Sequence, residues 1–252
     1  MGKRTEMKEA ASNTHATRTV IELRKKILGG ELTGGTRLFE VPLAEELEIS
    51  RTPLRDAMSR LAEEGLLERA RSGGFVVRKF TFADVIDAIE LRGVLEGTAA
   101  RLAAERGAPA DAMARMEEIV AKLDTCFGEA PGDVDFEAYS DLNAQFHDGL
   151  AGLAGSDIIR REVDRATRLP FASPSAFLPD KEDIASFRRS LNFAQEQHKV
   201  IVEAIGAREG SRAESVAREH ARTARRNLEY MLDEDRSLME RVPGIALVVA
   251  QG

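Results

Sequence analysis

The stretch that decides the fold is Leu43-Ala44-Glu45-Glu46-Leu47-Glu48-Ile49-Ser50-Arg51-Thr52-Pro53-Leu54-Arg55-Asp56-Ala57. It predicts a short helix from about Pro42 to Leu47, a tight turn, and a second helix from near Ser50 to Glu64, where Gly65 stops it. That order is the pattern of a helix-turn-helix. Ser50 or Thr52 can cap the second helix. Pro53 is tolerated in its first turn, where N–H groups lack intrahelical partners. At about 100° per residue, Leu54, Ala57, Met58 and Leu61 share one face. Thr52, Arg55, Asp56 and Ser59 point away, with Arg51 at the exposed start. An apolar inner face with Arg, Thr and Arg at the outer N-terminus suits entry into a major groove. There arginine can hold guanine O6 and N7 together, and threonine can meet a phosphate or a base edge. An ordinary amphipathic helix with a solvated basic rim fits the same spacing, and spacing alone does not choose between the two.

Working outward, Val20, Leu23, Ile27 and Leu28 recur at helical spacing between Thr17 and Leu28, and Gly29-Gly30 stops that helix. Gly34-Gly35 marks a turn. Beyond Gly65, Leu66–Ala70 and Phe75–Phe80 alternate like two short strands around Arg71-Ser72-Gly73-Gly74. This is a hairpin with a glycine tip, slim enough for Arg71 and Gly73 to approach a DNA backbone or minor groove. The DNA-contacting candidates are therefore Ser50, Arg51, Thr52, Arg55 and Ser59 on the helix, with Arg71 and Gly73 on the wing.

After the hairpin the strand signals stop. Helical segments follow at about 82–106, 110–127, 134–153, 157–169, 182–207 and 210–236. They are split by Pro109, Pro131-Gly132, Gly155, a Pro-rich loop at 170–180 and Gly210. The reading is mainly α: a winged helix-turn-helix over 17–79, then an antiparallel bundle of six or seven helices over 80–238. Residues 1–16 read as a flexible tail and 239–252 as a C-terminal tail, with the role of the apolar residues after Pro243 left open.

Composition bounds the function. Tryptophan is absent and there is one cysteine, Cys126, so no internal disulfide framework is possible. The first sixteen residues hold no apolar core of a signal peptide, and Ile245–Ala250 is far too short to span a bilayer. A cytoplasmic protein with no membrane partner is expected. The net charge of −7 is unevenly spread: residues 1–78 hold 14 Lys and Arg against 12 Asp and Glu, and residues 79–252 hold 22 against 31. Acidic surface repels phosphates, so the later part would be kept off a duplex while the first third can approach it.

Three of the four histidines share a pattern. Asn143 and His147 are four apart and lie on one helix face. His198 and His220 are placed symmetrically about position 209, in the turn between two helices, so a helical hairpin brings them to one level. Three imidazoles and an amide oxygen from three helices suit a divalent transition metal, zinc first, with nickel or another ion possible. Each histidine can equally be a satisfied interior or surface residue. On the segment 82–106, Arg92 and Glu96 fall on the inward stripe with Val85, Ile89 and Ala99. Buried charge needs a partner, which an intrahelical salt bridge supplies. The functional reading is that Arg92 awaits a ligand carboxylate, with Glu96 beside it.

Residues 18–78 resemble the winged helix-turn-helix of the GntR family of bacterial regulators. The motifs that carry the resemblance are Gly35-x-Arg37-Leu38, Leu43-Ala44-Glu45, Ser50-Arg51-Thr52-Pro53-Leu54-Arg55-Asp56-Ala57, Leu61-x-x-Glu64-Gly65-Leu66 and the wing glycines Gly73-Gly74. The resemblance implies that Arg51, Thr52 and Arg55 contact an operator. Some fatty-acid-responsive members carry an arginine where this chain has Val41, so no base contact is expected from that point. Residues 82–236 are similar to the FCD-type ligand-binding domain of FadR-like members. The similarity lies in Glu90-Leu91-Arg92-x-x-Leu95-Glu96, in Asn143-x-x-Phe146-His147, and in the positions of His198 and His220. It implies a metal held by Asn143, His147, His198 and His220, with a small organic acid beside it. Asparagine in place of the commoner aspartate is a neutral ligand, which would weaken metal affinity.

The expected function is that of a homodimeric DNA-binding transcriptional regulator. Its two wings would bind half-sites of operator DNA, and a small carboxylate metabolite would relieve repression. The rivals are a metal-dependent enzyme using the three histidines for Lewis-acid chemistry, and a sensor of the metal alone. Against the enzyme, no Glu, Asp or Lys stands at a recognisable general-base spacing.

Overall fold

The computed structural model describes residues 17–130, 132–169, 171–174, 184–233, 242 and 244–249. The 1–16 tail, most of the 170–180 loop, and the expected helix ends at 182–183 and 234–236 lie outside the described residues. The chain divides into two compact units. One comprises the residues up to Asp84 together with those from Pro243 onward, and the other runs from Val85 to Val242.

In the first unit, helix α1 (17–28) buries Val20, Leu23 and Ile27. Helix α2 (Glu40–Glu46) buries Leu43 and Ala44, and α3 (Arg51–Glu63) buries Leu54, Ala57, Met58 and Leu61, the inner face read from the spacing. Ser50 sits at the N-cap of α3 with an extended backbone, but its side chain makes no capping bond. Three short strands, β1 (Arg37–Leu38), β2 (Leu67–Arg69) and β3 (Phe75–Val77), form an antiparallel sheet in the order β1-β3-β2. Leu67 faces Val77 and Leu38 faces Phe75. Strand β1 was not expected, because two residues carry no alternation to read. At the wing tip Gly73 and Gly74 have φ of 87° and 80°, which a side chain would strain.

The separate 239–252 tail of the sequence reading needs correction. Residues 244–249 complete the winged unit. Gly244 N–H donates to Leu28 O at 2.7 Å, Phe80 N–H to Leu247 O at 2.8 Å, and Val249 N–H to Phe80 O at 2.8 Å. Phe80 and Val248 form a parallel bridge, and Leu247 is fully buried. Apolar side chains covering Phe80 remove surface from water, and backbone groups there pair rather than stay open.

Six helices among the described residues run through the second unit, α4 starting three residues before its boundary: α4 (Phe82–Arg106), α5 (Ala110–Asp124), α6 (Phe136–Leu153), α7 (Asp157–Thr167), α8 (Ile184–Gly206) and α9 (Gly210–Asp233). A reciprocal cap starts α4: Asp84 N–H donates to Thr81 Oγ1 at 3.1 Å and Thr81 N–H to Asp84 Oδ2 at 2.7 Å. The core joins Ala100, Ala103 and Ala104 of α4 to Met116 and Leu123 of α5, Tyr139, Phe146 and Leu150 of α6, Ile201 and Ile205 of α8, and Ala213 and Ala217 of α9.

Close approach of α4 to α9 sets the functional site. A Cβ added at Gly93 would lie 2.8 Å from Ala221 Cβ, and one at Gly97 would lie 3.0 Å from Glu214 O. The two glycines, four apart, let the α9 backbone lie against α4 beside Arg92 and Glu96. Gly93→Ala is expected to lower stability. Overpacking costs about 1–3 kcal/mol, against about 1 kcal/mol of helix propensity gained. Ala221→Gly in the same chain should recover most of the loss, read as the urea midpoint by circular dichroism.

Candidate functional site

The DNA-reading candidates divide in the structure. Ser50, Arg51, Thr52 and Arg55 are exposed on the first turns of α3, and Arg71 and Gly73 are exposed at the wing. Ser59, one turn further along, is half-buried and accepts a hydrogen bond from Arg69 Nη2 of β2 at 3.4 Å. Arg37 was missed: its Nη2 donates to Gly73 O at 2.9 Å and its guanidinium lies 5.4 Å from the Phe39 ring, which ties the wing tip to β1. No periodic signal marks a residue whose role is to reach a loop that is near only in three dimensions.

In the helical unit, His147 on α6, His198 on α8 and His220 on α9 are all buried and come together. Their Nε2 atoms face one another: His198 to His220 at 3.1 Å, and His220 to His147 at 3.3 Å. Each Nδ1 meets an oxygen instead: His147 meets Glu96 Oε1 at 2.8 Å, His198 meets Gln195 Oε1 at 3.1 Å, and His220 meets Gln197 Oε1 at 3.3 Å. The Gln195 amide is oriented independently, because its Nε2 donates to Val120 O at 2.9 Å and to Asp124 Oδ1 at 3.0 Å. Oxygen acceptors at Nδ1 assign the proton to Nδ1 on all three rings. Three Nε2 lone pairs then converge with no hydrogen between them, an arrangement that repels unless a cation sits among the rings. Partners on the far ring nitrogen are also what hold metal-binding histidines in place.

Burial, reinforced by the neighbouring imidazoles, holds His198 and His220 well below the ordinary histidine value. Both are neutral at neutral pH, the state a ligand requires. Burial works to raise the Glu96 carboxyl, but His147 and Arg92 outweigh it and push it down to about 2.

Beside the histidines lies a cavity of about 30 Å³, lined by Arg92, Tyr139, Asn143, Ser190, His220, Thr223 and Asn227 with a few apolar side chains. Arg92 is 2% exposed; its Nη1 donates to Glu96 Oε2 at 3.3 Å, and its buried Nε finds no acceptor among the described residues. The intrahelical salt bridge and an unpaired Nε therefore coexist. Glu96 departs from the effector-binding role expected beside Arg92: it does not line the cavity, and its two oxygens bridge Arg92 and His147. The glutamines were missed, since a glutamine three residues before a histidine, or one, carries no recognisable spacing. Gln197 also accepts from the cavity-lining Thr223 hydroxyl at 3.3 Å, so one oxygen serves both the cavity wall and a histidine.

A winged helix-turn-helix joined to a helical unit with a buried histidine cluster defines a class: a DNA-binding regulator with a second, all-helical domain. Comparison with known proteins agrees. Residues 16–77 match the bacterial regulatory proteins of the gntR family and residues 87–223 match the FCD domain. The chain belongs to the GntR family of bacterial transcriptional regulators, in the group with an FCD domain, a family of DNA-binding regulators rather than enzymes. A relative named "Nta operon transcriptional regulator" from Aminobacter aminovorans is 33% identical over 129 residues, 51% of this chain and 59% of that one, so the match spans little more than half of that relative. A relative named "Probable D-xylose utilization operon transcriptional repressor" from Paenarthrobacter nicotinovorans is 28% identical over 221 residues, 83% of this chain and 89% of that one. Among solved structures, E. coli McbR/YncC matches with a TM-score of 0.58 at 20% identity, over 87% of this chain and 98% of that one, a likeness of fold. Among the described residues, no helix is long and apolar enough to cross a membrane.

The depressed histidines set a pH window. A group whose folded value lies below its unfolded value of about 6.5 contributes stability that is complete above that pH and is lost as pH falls beneath it. With a chelator present, the thermal midpoint of the helical unit should therefore fall progressively as pH drops below about 6.5. His198→Phe should flatten that slope, and an unchanged slope would contradict the assigned protonation states.

Proposed function

We propose that this regulator is a repressor whose hold on its operator is set by a small carboxylate bound beside a divalent transition metal in the helical unit. Zinc is the first candidate and nickel the next. One observation carries the reading: three buried Nε2 atoms, 3.1 and 3.3 Å apart in the two close pairs, with every Nδ1 committed to an oxygen. Nitrogens bound to one tetrahedral zinc at about 2.0–2.1 Å are about 3.3 Å apart, so the spacing fits. His147, His198 and His220 would hold the ion, and Asn143 on the adjacent cavity wall would add a neutral oxygen. The bound ion would supply a positive centre for one carboxylate oxygen.

Arg92 would receive the same carboxylate through its unpaired Nε. The cavity of about 30 Å³ has room for about two waters. An entering acid must therefore displace walls that α4, α6, α8 and α9 supply. Occupancy would thus favour one arrangement of the bundle over another, which is the requirement for an effector. Repression as the direction of control is supported by the relative named as a repressor. Two copies would present their wings to paired half-sites, with Arg51, Thr52 and Arg55 in the major groove.

Metal content by mass spectrometry should be near one ion per chain and should be lost in His198→Ala. Glu96→Gln, which weakens the support of His147, should cost about 10–100-fold in metal affinity. In gel shifts with a panel of hydroxy and dicarboxylic acids, at least one acid should release a duplex from the chain's own genomic neighbourhood, and Arg92→Ala should abolish that release. Release by chelation alone, with every acid inert, would instead identify a metal sensor. Arg55→Ala should weaken operator binding by about 1–3 kcal/mol.

A further inference from the structure

One carboxylate ties together the two arginines assigned to the major groove. Glu40, the first residue of α2, is largely shielded, with a side chain 19% exposed, while Arg51 and Arg55 are 62% and 60% exposed. Arg55 engages it side-on, Nε to Oε1 at 3.1 Å and Nη2 to Oε2 at 2.9 Å, and Arg51 Nη2 reaches the same Oε2 at 3.5 Å. The bond from Arg55 keeps the Glu40 carboxyl below its ordinary value, so it is charged at neutral pH. Exposed ion pairs contribute little to stability. A carboxylate at the face that meets DNA also works against phosphate contact. Its position therefore asks for a role in recognition.

We propose that Glu40 is a positioning residue for DNA readout: by holding Arg55 side-on it presents the remaining guanidinium edge to a guanine. Guanidinium carries five N–H donors in a planar fork. With Nε and one Nη2 hydrogen committed to Glu40, the Nη1–Nη2 edge stays open, and that edge matches guanine O6 and N7. A flexible arginine is thereby restricted to the orientation that reads a base, rather than sweeping across phosphates. The fixed negative charge adds a penalty at any sequence where no guanine compensates for it, so discrimination rests on a repulsive element as well as an attractive one. Arg51, four residues before Arg55 on the same helix face, is held near the same oxygen. This inference rests on Arg55 as a DNA contact.

The test uses the full chain, a duplex recovered by that chain from a random-sequence pool, and a shuffled duplex of equal composition, at one salt concentration. Glu40→Ala should lower the ratio of specific to shuffled affinity about tenfold, by binding the selected duplex less tightly and the shuffled one more tightly. Glu40→Gln, with an acceptor but no charge, should fall between. In an Arg55→Ala background the Glu40→Ala change should move the ratio by less than about twofold, because neighbours that act together are not additive. Thermal midpoints serve as the folding control for each variant. If Glu40→Ala leaves the ratio unchanged while Arg55→Ala weakens the selected duplex, this inference alone fails; an equal change with and without Arg55 also overturns it. If Arg55→Ala leaves the selected duplex bound as before, the assignment of Arg55 to the groove fails and takes this one with it.

Discussion

The helical unit is organised around a charge that has nowhere to go. Glu96 is 1% exposed on the inner face of α4, and an ionised carboxylate in such a place is tolerated only when it is met from more than one side. Arg92, one turn earlier, supplies one side, and the Nδ1 proton of His147 supplies the other. Around that bridge everything else takes its orientation. His147 must turn Nε2 inward, His220 and His198 converge on it, and the glutamines of α8 hold the two remaining rings. The close approach at Gly93 and Gly97 is what lets α9 lie against α4 and bring His220 to His147.

The two units solve different electrostatic problems. In the winged unit Arg51 and Arg55 keep most of their surface in water, so their ion pairs to Glu40 are screened and set orientation more than stability. In the helical unit the charges are dry and pinned, so a newcomer must fit the existing pattern or move helices. A reader of DNA benefits from the first condition. The second condition leaves a cost standing, because the buried Arg92 Nε has no acceptor among the described residues.

How much of this was legible in the sequence follows the range of the interactions. The inner face of α3 is a local periodicity, and Leu54, Ala57, Met58 and Leu61 are buried as the spacing predicts. The pairing of His198 with His220 also depended on one local feature, the turn between their helices, and the hairpin brings them to 3.1 Å. Glu96 was legible as an inward-facing charge paired with Arg92, but its second partner was not, since His147 lies 51 residues away. Gln195 and Gln197 were not legible at all; their value is the direction of an amide oxygen, which depends on α5 for Gln195 and on α9 for Gln197 as much as on α8. Strand β1 was too short to show alternation, and the bond from Arg69 to Ser59 crosses from β2 to α3, which a helical wheel does not register.

The return of residues 244–249 to Phe80 gives the winged unit an unusual dependence on chain order. Its helix-turn-helix and wing leave the ribosome first, yet the residues that close its core, Leu247 above all, are synthesised after all six helices of the other unit. The module cannot be treated as a cassette ending at the wing. A fragment cut there leaves the Phe80 backbone unpaired at the base of the sheet. The helical unit is, in topological terms, an insertion within the winged unit, joined to it through two chain connections rather than one.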